Sequence, residues 1–386
     1  MFWWPTRRQG RPAANLWYKN AKFLYSALGF ASLFVVCSTA HVAAAGTAFR
    51  LSGKRALQWH FSWDGAGIVS QGGKAAGKSY DNLFKAGVSA EGSMLGLSQA
   101  WDFRATFACT QNSRSISAYA GDIQGVINLD AGSRCRPVRI SARRALGRHL
   151  NARLGLIPAD HYFDVAESSG LLLNSSFGVE PTWSHNTIAP IYPTEGTGAM
   201  LTWHGGSALN RVGVFQGNPQ ELDTTFREGE VVIDEFAWHA LKGVTATYKL
   251  GIWDYRPQNS GQSHLPHSNW GLYLITEQPL SGDSSNASAF FRLGLSPNAQ
   301  SAIPLDVQAG LLIPDPLPNR LHDRLSFGVA LAKLRGGHTE TALEATYSMA
   351  ISKHIWLQPD LQFVLDPGGN GPPATVLALR AHVQFG

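Results

Sequence analysis

Gly72-Gly-Lys-Ala-Ala-Gly-Lys78-Ser79 has the glycine, lysine and hydroxyl spacing of a loop that cradles nucleotide phosphates. Such a loop works between a buried strand and a helix whose N-terminal N–H groups face the phosphates. Residues 80–89 carry no sustained helical stripe and include Gly87. A hairpin loop is therefore expected here, and nucleotide binding is not. The thirteen histidines form no His-x-x-x-His pair beside a carboxylate and no Cys/His cluster with zinc spacing. Glu340/Glu344 and Asp360/Asp366 are acid pairs of the kind that cleave glycosidic bonds, but that chemistry needs two carboxylates converging on one bond. Sequence spacing supplies no such convergence, so no catalytic residue, metal or cofactor is expected.

The remaining polar side chains stand at alternate positions. Leu377, Leu379, Ala381, Val383 and Phe385 are separated by Ala378, Arg380, His382 and Gln384. Leu357, Pro359, Leu361, Phe363 and Leu365 are separated by Gln358, Asp360 and Gln362, and Leu343 to Ile351 by Glu344, Thr346 and Ser348. The same alternation runs through residues 101–107, 150–156 and 325–331. Side chains alternate faces along a strand, so each segment has one apolar and one polar face.

Composition agrees with a β-rich chain: charged residues are 15% of it, against about a quarter in soluble domains, and there are 40 glycines. Residues 1–45 read as a cleaved signal peptide, with Arg7, Arg8, Arg11, Lys19 and Lys22, an apolar run from Phe23 to about Val36, and Ala43-Ala44-Ala45 before Gly46. Those five are the whole basic excess: the other 27 Lys and Arg equal the 27 acids, so the folded part has no footprint for nucleic acid. Beyond residue 45 no apolar run is long enough for a spanning helix. Two solutions remain, a soluble β-sandwich or a closed barrel, the other structure that lipid permits.

Apolar faces of about five residues per strand favour the barrel, because they match a tilted span of ~9–11 residues. Connections alternate between tight turns, such as Ser352-Lys353-His354, and longer loops, such as residues 366–373. Residues 46–386 thus form one domain, an all-β transmembrane antiparallel barrel of about sixteen strands at ~21 residues per strand with its connection. Its lumen is expected to be lined by Glu344, Thr346, Gln358, Asp360, Gln362, Arg380 and His382. Pairing the last two strands apolar to apolar places Leu365 opposite Thr375, Asp360 opposite Arg380 and Gln358 opposite His382. The preceding hairpin places Thr346 opposite Asp360 and Glu344 opposite Gln362. A one-residue slip would turn Arg380 into lipid, at roughly 2–4 kcal/mol near the midplane.

Residues 134–153 hold seven arginines and no acid. Alternation puts Arg139, Arg143 and Arg153 on the polar face and Val138, Ile140 and Ala142 towards lipid, which makes either a cationic lumen wall that attracts anionic solutes or a set of periplasmic-rim residues that bond to backbone and lipid headgroups. Two cysteines remain after residue 45, Cys109 and Cys135; they form a bridge between neighbouring strands or stay as two small buried or lipid-facing side chains.

Several blocks resemble the OprB-type carbohydrate-selective porins. They are Arg153-Leu-Gly-Leu-Ile-Pro-Ala-Asp160, Phe163-Asp-Val165, the run from Ser169 to Gly178, Tyr248-Lys-Leu-Gly-Ile-Trp253 and the run from Asn269 to Gln278. Leu343-Glu-Ala-Thr-Tyr347, Trp356 to Phe363 and Asp366-Pro-Gly-Gly369 are similar to the family's closing region. The order of these blocks, from about Tyr80 to Phe385, carries the resemblance. It implies a sixteen-stranded outer-membrane barrel, in a Gram-negative bacterium, that lets mono- or oligosaccharides diffuse passively and has outer-membrane lipid as its other partner. Trp183, Trp203 and Trp253 are candidates to stack on sugar faces, or else to serve as girdle or loop residues. Two features depart from the pattern: Gly386 follows the terminal aromatic, and the 134–153 hairpin lacks the family's acidic residues. Other readings are an exported sugar-binding β-sandwich or an outer-membrane barrel enzyme.

Overall fold

The computed structural model describes residues 57–188, 190–220, 226–239, 246–258, 267–280 and 287–386. The expected signal peptide, residues 1–45, lies outside them. Sixteen strands close into one antiparallel barrel in which each pairs with its sequence neighbours and the last returns to the first. The first half holds β1 (Gln58–Gly72), β2 (Gly77–Glu91), β3 (Trp101–Asn112), β4 (Arg134–Ala145), β5 (Leu150–Ile157), β6 (Gly196–Gly205), β7 (Ala208–Gln216) and β8 (Gly229–His239). The second holds β9 (Thr247–Pro257), β10 (Asn269–Pro279), β11 (Ser288–Leu295), β12 (Leu305–Pro314), β13 (Arg324–Lys333), β14 (Thr339–Ser352), β15 (Ile355–Leu365) and β16 (Ala374–Phe385).

Closure matters because a sheet edge in lipid would leave a row of N–H and C=O groups unpaired. The seam is a continuous ladder from Phe61 opposite Phe385 to Gly72 opposite Ala374. Each strand keeps its two faces. On β9, Lys249, Trp253 and Tyr255 are buried inside, while Leu250 and Ile252 are 57% and 53% exposed on the outside. Large aliphatic side chains that open are stable only against hydrocarbon. No helix among the described residues is long and apolar enough to cross a membrane.

The two ends differ. Both termini of the barrel, Gln58 and Phe385, lie at the end closed by short turns at 146–149, 206–207 and 353–354. The other end carries the longest connections, 113–133 and 158–195. Cys109 and Cys135 stand opposite each other on β3 and β4 and form a disulfide, which settles the alternatives left by the sequence. Gly72–Ser79 spans the β1–β2 hairpin, with a strand rather than a helix after its glycines.

Two expectations need correction. In the last hairpin Phe363, not Leu365, faces Thr375; Gln358 faces Arg380, and Asp360 faces Ala378. The loop folds as a helical turn in which Gly369 N–H donates to Asp366 O and Gly371 N–H to Pro367 O, so it takes Leu365 out of the ladder with β16. The slip is of two residues, which keeps every side chain on its face and changes its partner. The β14–β15 pairs are as expected, Thr346 with Asp360 and Glu344 with Gln362. On β4 the ladder with β3 shifts beside Thr106 and Phe107, leaving Val138 as an extra residue. This bulge turns Val138 inward, where it is 7% exposed, instead of towards lipid.

Candidate functional site

Residues 113–133 and 158–195 do not stand out from the barrel; they fold into it. Their apolar side chains require this: Ile116, Ile127, Phe163, Leu173, Phe177 and Trp183 are all 2% exposed or less. Phe163 and Trp183 pack in one cluster with Trp253, Tyr273 and Ile275 of the wall. Leu172 and Phe177 pack on Phe290 and Ala330, and Ile116, Ile127 and Leu129 on Ile68, Leu83 and Val376.

An irregular segment buried this way has backbone N–H groups that must find acceptors. Carboxylates on the wall supply them. Glu344 accepts from Leu173 N at 2.5 Å and Asn174 N at 2.9 Å. Glu340 accepts from Ile123 N, Gln124 N and Gly368 N at 2.7–3.0 Å. Glu277 accepts from Ser168 N at 2.7 Å, Glu235 from Asp164 N at 2.9 Å and Asp306 from Thr182 N at 3.1 Å. Arg292, fully buried on β11, serves the carbonyl side, donating to Phe177 O at 2.6 Å and to Asp164 O and Oδ1 at 3.0 and 2.7 Å. Within the segment, burial pushes the Glu180 carboxyl well above the usual range, and the neighbouring Asp164 and Asp306 charges add to this. Burial also raises Asp164, to about 6, against the pull of Arg292.

Five residues expected to line an open lumen belong to this seating instead. Glu344, Thr346, Gln358, Asp360 and Gln362 point inward but are only 0–5% exposed, because the infolded segments cover them. Gln358 donates to Leu171 O at 2.7 Å and Gln362 to Val126 O at 2.8 Å. Thr346 accepts from Gln358 Nε2, and Asp360 accepts from Gln362 Nε2.

The adjoining wall, made by β16, β1 and β2, faces a cavity of about 340 Å³. Asp64, Lys85 and Arg380 line it from the wall; Asp130, Asp160, His161, His185 and Tyr192 line it from the infolded segments. Arg380 reaches diagonally across the seam to Asp64 Oδ1, with Nε at 2.9 Å and Nη2 at 2.5 Å. His382 Nδ1 meets the same oxygen at 2.6 Å. The partner of Arg380 is therefore Asp64 on β1 and not Asp360 on β15. Lys85 Nζ sits 5.6 Å from the centre of the Tyr192 ring. Desolvation inside the barrel holds His161 and His185 below the ordinary histidine range.

Of the three arginines singled out in the 134–153 hairpin, Arg143 and Arg153 line a second space nearer the short-turn end, while Arg139 reaches a residue that lines the first. Arg139 contacts His161 Nδ1 at 2.5 Å. Arg153 stands opposite Arg143 across β4–β5, donates to Ser141 Oγ at 3.1 Å and lies 5.3 Å from the Tyr162 ring. None of the three tryptophans faces open space: Trp183 and Trp253 are 0% and 1% exposed beneath the infolded segments, and Trp203 is on the outer face, opposite Leu150 and Asn210. Sequence reasoning missed Asp64, Lys85 and Tyr192. The available signal was the apolar character of residues 163–183, too rich in Leu, Phe and Trp for a loop in water.

A charged, hydroxyl-bearing space beside an inward-folded connection suits the partitioning of small polar solutes, and known proteins agree. Residues 75–385 match the family described as "Carbohydrate-selective porin, OprB family". Curated protein sequences give no match. The structure is similar to the high-pH structure of Pseudomonas putida OprB, with a TM-score of 0.73 and 16% identity over 85% of this chain and 94% of that one. The low-pH structure of the same protein gives 0.56 and 17% over 85% and 92%. A mutant Rh. blastica porin gives 0.54 and 11% over 85% and 100%. These identities speak for the fold; the family match, over most of the chain, speaks for the activity. The chain belongs to the OprB family of carbohydrate-selective porins, and it is a sugar-diffusion channel of the Gram-negative outer membrane rather than an enzyme.

Proposed function

We propose that sugars cross this barrel through the space bounded by Asp64, Lys85 and Arg380 on one side and by Asp160, His161 and Tyr192 on the other. The observation that carries this is a gap in the filling of the barrel: the infolded segments cover the inner face of β8–β15 and, through Ile116, Ile127 and Leu129, part of β16, β1 and β2, but leave a cavity of about 340 Å³ beside Asp64, Lys85 and Arg380. A sugar entering it exchanges water hydrogen bonds for charged and hydroxyl groups on both sides, and no energy input or cofactor is needed. Arg139, Arg143 and Arg153 then form a cationic wall nearer the short-turn end, which faces the periplasm in barrels of this type.

The remaining assignments follow from the sequence. Residues 1–45 direct export and are removed before Gly46, as their basic, apolar and small-residue blocks indicate. The Gly72–Ser79 hairpin binds no nucleotide, since it lacks the helix that would hold phosphates. A single cysteine tests the route, in a background with Cys109 and Cys135 replaced. Lys85→Cys should react with a membrane-impermeant thiol reagent and lose sugar flux as it does so, while Glu344→Cys should stay unreactive. Equal labelling at both positions would return the path to the β14–β15 wall.

A further inference from the structure

A cavity of about 150 Å³ lies between β4–β7 and the start of the infolded segment, apart from the space just described. Arg143, Asn151, Arg153, Tyr162, Thr202 and Arg211 line it. The strand ladders assemble this lining: Arg143 is opposite Arg153, Asn151 is opposite Thr202, and Thr202 is opposite Arg211. All of these positions are near the short-turn end of their strands.

The charges are unbalanced. Arg211 is paired with Glu235 at 3.2 Å, and Asp102, which stands opposite Arg143, is paired with Arg104 at 3.3 Å. Arg143 and Arg153 have no carboxylate within ion-pair distance among the described residues. Arg153 is only 7% exposed, and its Nε reaches no acceptor; neither does the Nε of Arg143. A buried guanidinium left with free donors is costly unless something supplies acceptors. Two facing guanidinium groups present the planar donor forks that carboxylates take bidentately. Beside them are an amide, a hydroxyl and an aromatic ring, the groups that hold a sugar's hydroxyls and its apolar face.

We infer that this cavity is a binding subsite for a carboxylate-bearing sugar, with the acid group between Arg143 and Arg153 and the hydroxyls on Asn151 and Thr202. The inference rests on the porin reading and extends it to sugar acids. Such a subsite gathers anionic sugars on the short-turn side of the neutral path, and Arg211 stays with Glu235 as part of its frame.

The test uses the purified full-length barrel in planar bilayers, with current block by glucuronate, glucose and acetate measured at one ionic strength. Half-block by glucuronate is expected at a concentration about tenfold or more below that of glucose, as a charge-assisted pair adds. Acetate, lacking hydroxyls, should block far more weakly than glucuronate. In the Arg143→Gln/Arg153→Gln double variant the glucuronate-to-glucose ratio should collapse towards one. If that variant does not fold, as judged by its unheated gel mobility, Arg143→Lys/Arg153→Lys keeps charge and loses the fork, and should give an intermediate ratio. A wild-type ratio near one, acetate blocking as well as glucuronate, or a ratio unchanged in the variant that folds would each overturn the subsite. Failure of the porin reading is separate: wild-type protein would then pass no neutral sugar in liposomes.

Discussion

Arg380 and Asp64 meet across the seam where the last strand closes on the first, with both Nε and Nη2 of the arginine on one carboxylate oxygen at 2.9 and 2.5 Å. The pair joins the two ends of the barrel sequence at the edge of the cavity. Arg380 is 19% exposed and Asp64 6%, so the arginine presents its charge to solutes while the acid stays behind it.

Removing the acid should therefore change selectivity. Asp64→Asn keeps the shape and leaves the Arg380 charge uncompensated, so the reversal potential in a KCl gradient should shift towards anions. Asp64→Asn/Arg380→Gln should reverse the shift. A potential unmoved by the single variant would remove the pair from the ion path.

The arginines of β4 and β5 should act in the same direction from the other side. Replacing Arg139, Arg143 and Arg153 together with Gln should shift selectivity away from anions. An unchanged reversal potential would place them outside the conducting path.

Seating of the infolded segment depends on single wall carboxylates. Glu344→Ala leaves the N–H groups of Leu173 and Asn174 without their acceptor. Each lost partner costs about 1–3 kcal/mol where water cannot replace it. Single-channel conductance should rise and become noisier, and larger oligosaccharides should enter liposomes. Conductance and size limit equal to wild type would contradict this role.

The seating should also respond to pH. Burial raises the Glu180 carboxyl, so the seated segment holds a proton that a released one gives up. Stability from this group is present at low pH and falls as pH rises above the ordinary carboxylate range. Channel noise should therefore grow from pH 5 to pH 8, and Glu180→Gln, neutral at every pH, should flatten that dependence. The opposite slope in wild type would exclude it.

Much of the barrel was legible because lipid enforces strict alternation: in β14, β15 and β16 each residue's face could be read directly. The β14–β15 register was legible as well beyond the turn, although an irregularity between Ala350 and Ser352 shifts the pairing next to it. The β15–β16 register was not, because the helical turn at Pro367–Gly369 consumes residues with no change of face. Val138 was misplaced for a related reason, since a bulge adds one residue without marking the sequence. The site was harder. Asp64 and Arg380 are neighbours only once the barrel closes, and local periodicity carries no information on closure. Trp183 and Phe177 were readable as apolar, but nothing in their spacing said that they point into a barrel. Alternation puts Glu344, Gln358 and Gln362 on the correct face, but it carries no sign that backbone rather than water lies beside them.

The most direct measurement is liposome swelling with the purified protein and neutral sugars of graded size. Swelling well above that of protein-free liposomes is expected for monosaccharides, with rates falling steeply for larger sugars as the infolded segments narrow the barrel. Swelling no faster than in protein-free liposomes, for every sugar tried, would contradict the assignment of this chain as a sugar channel.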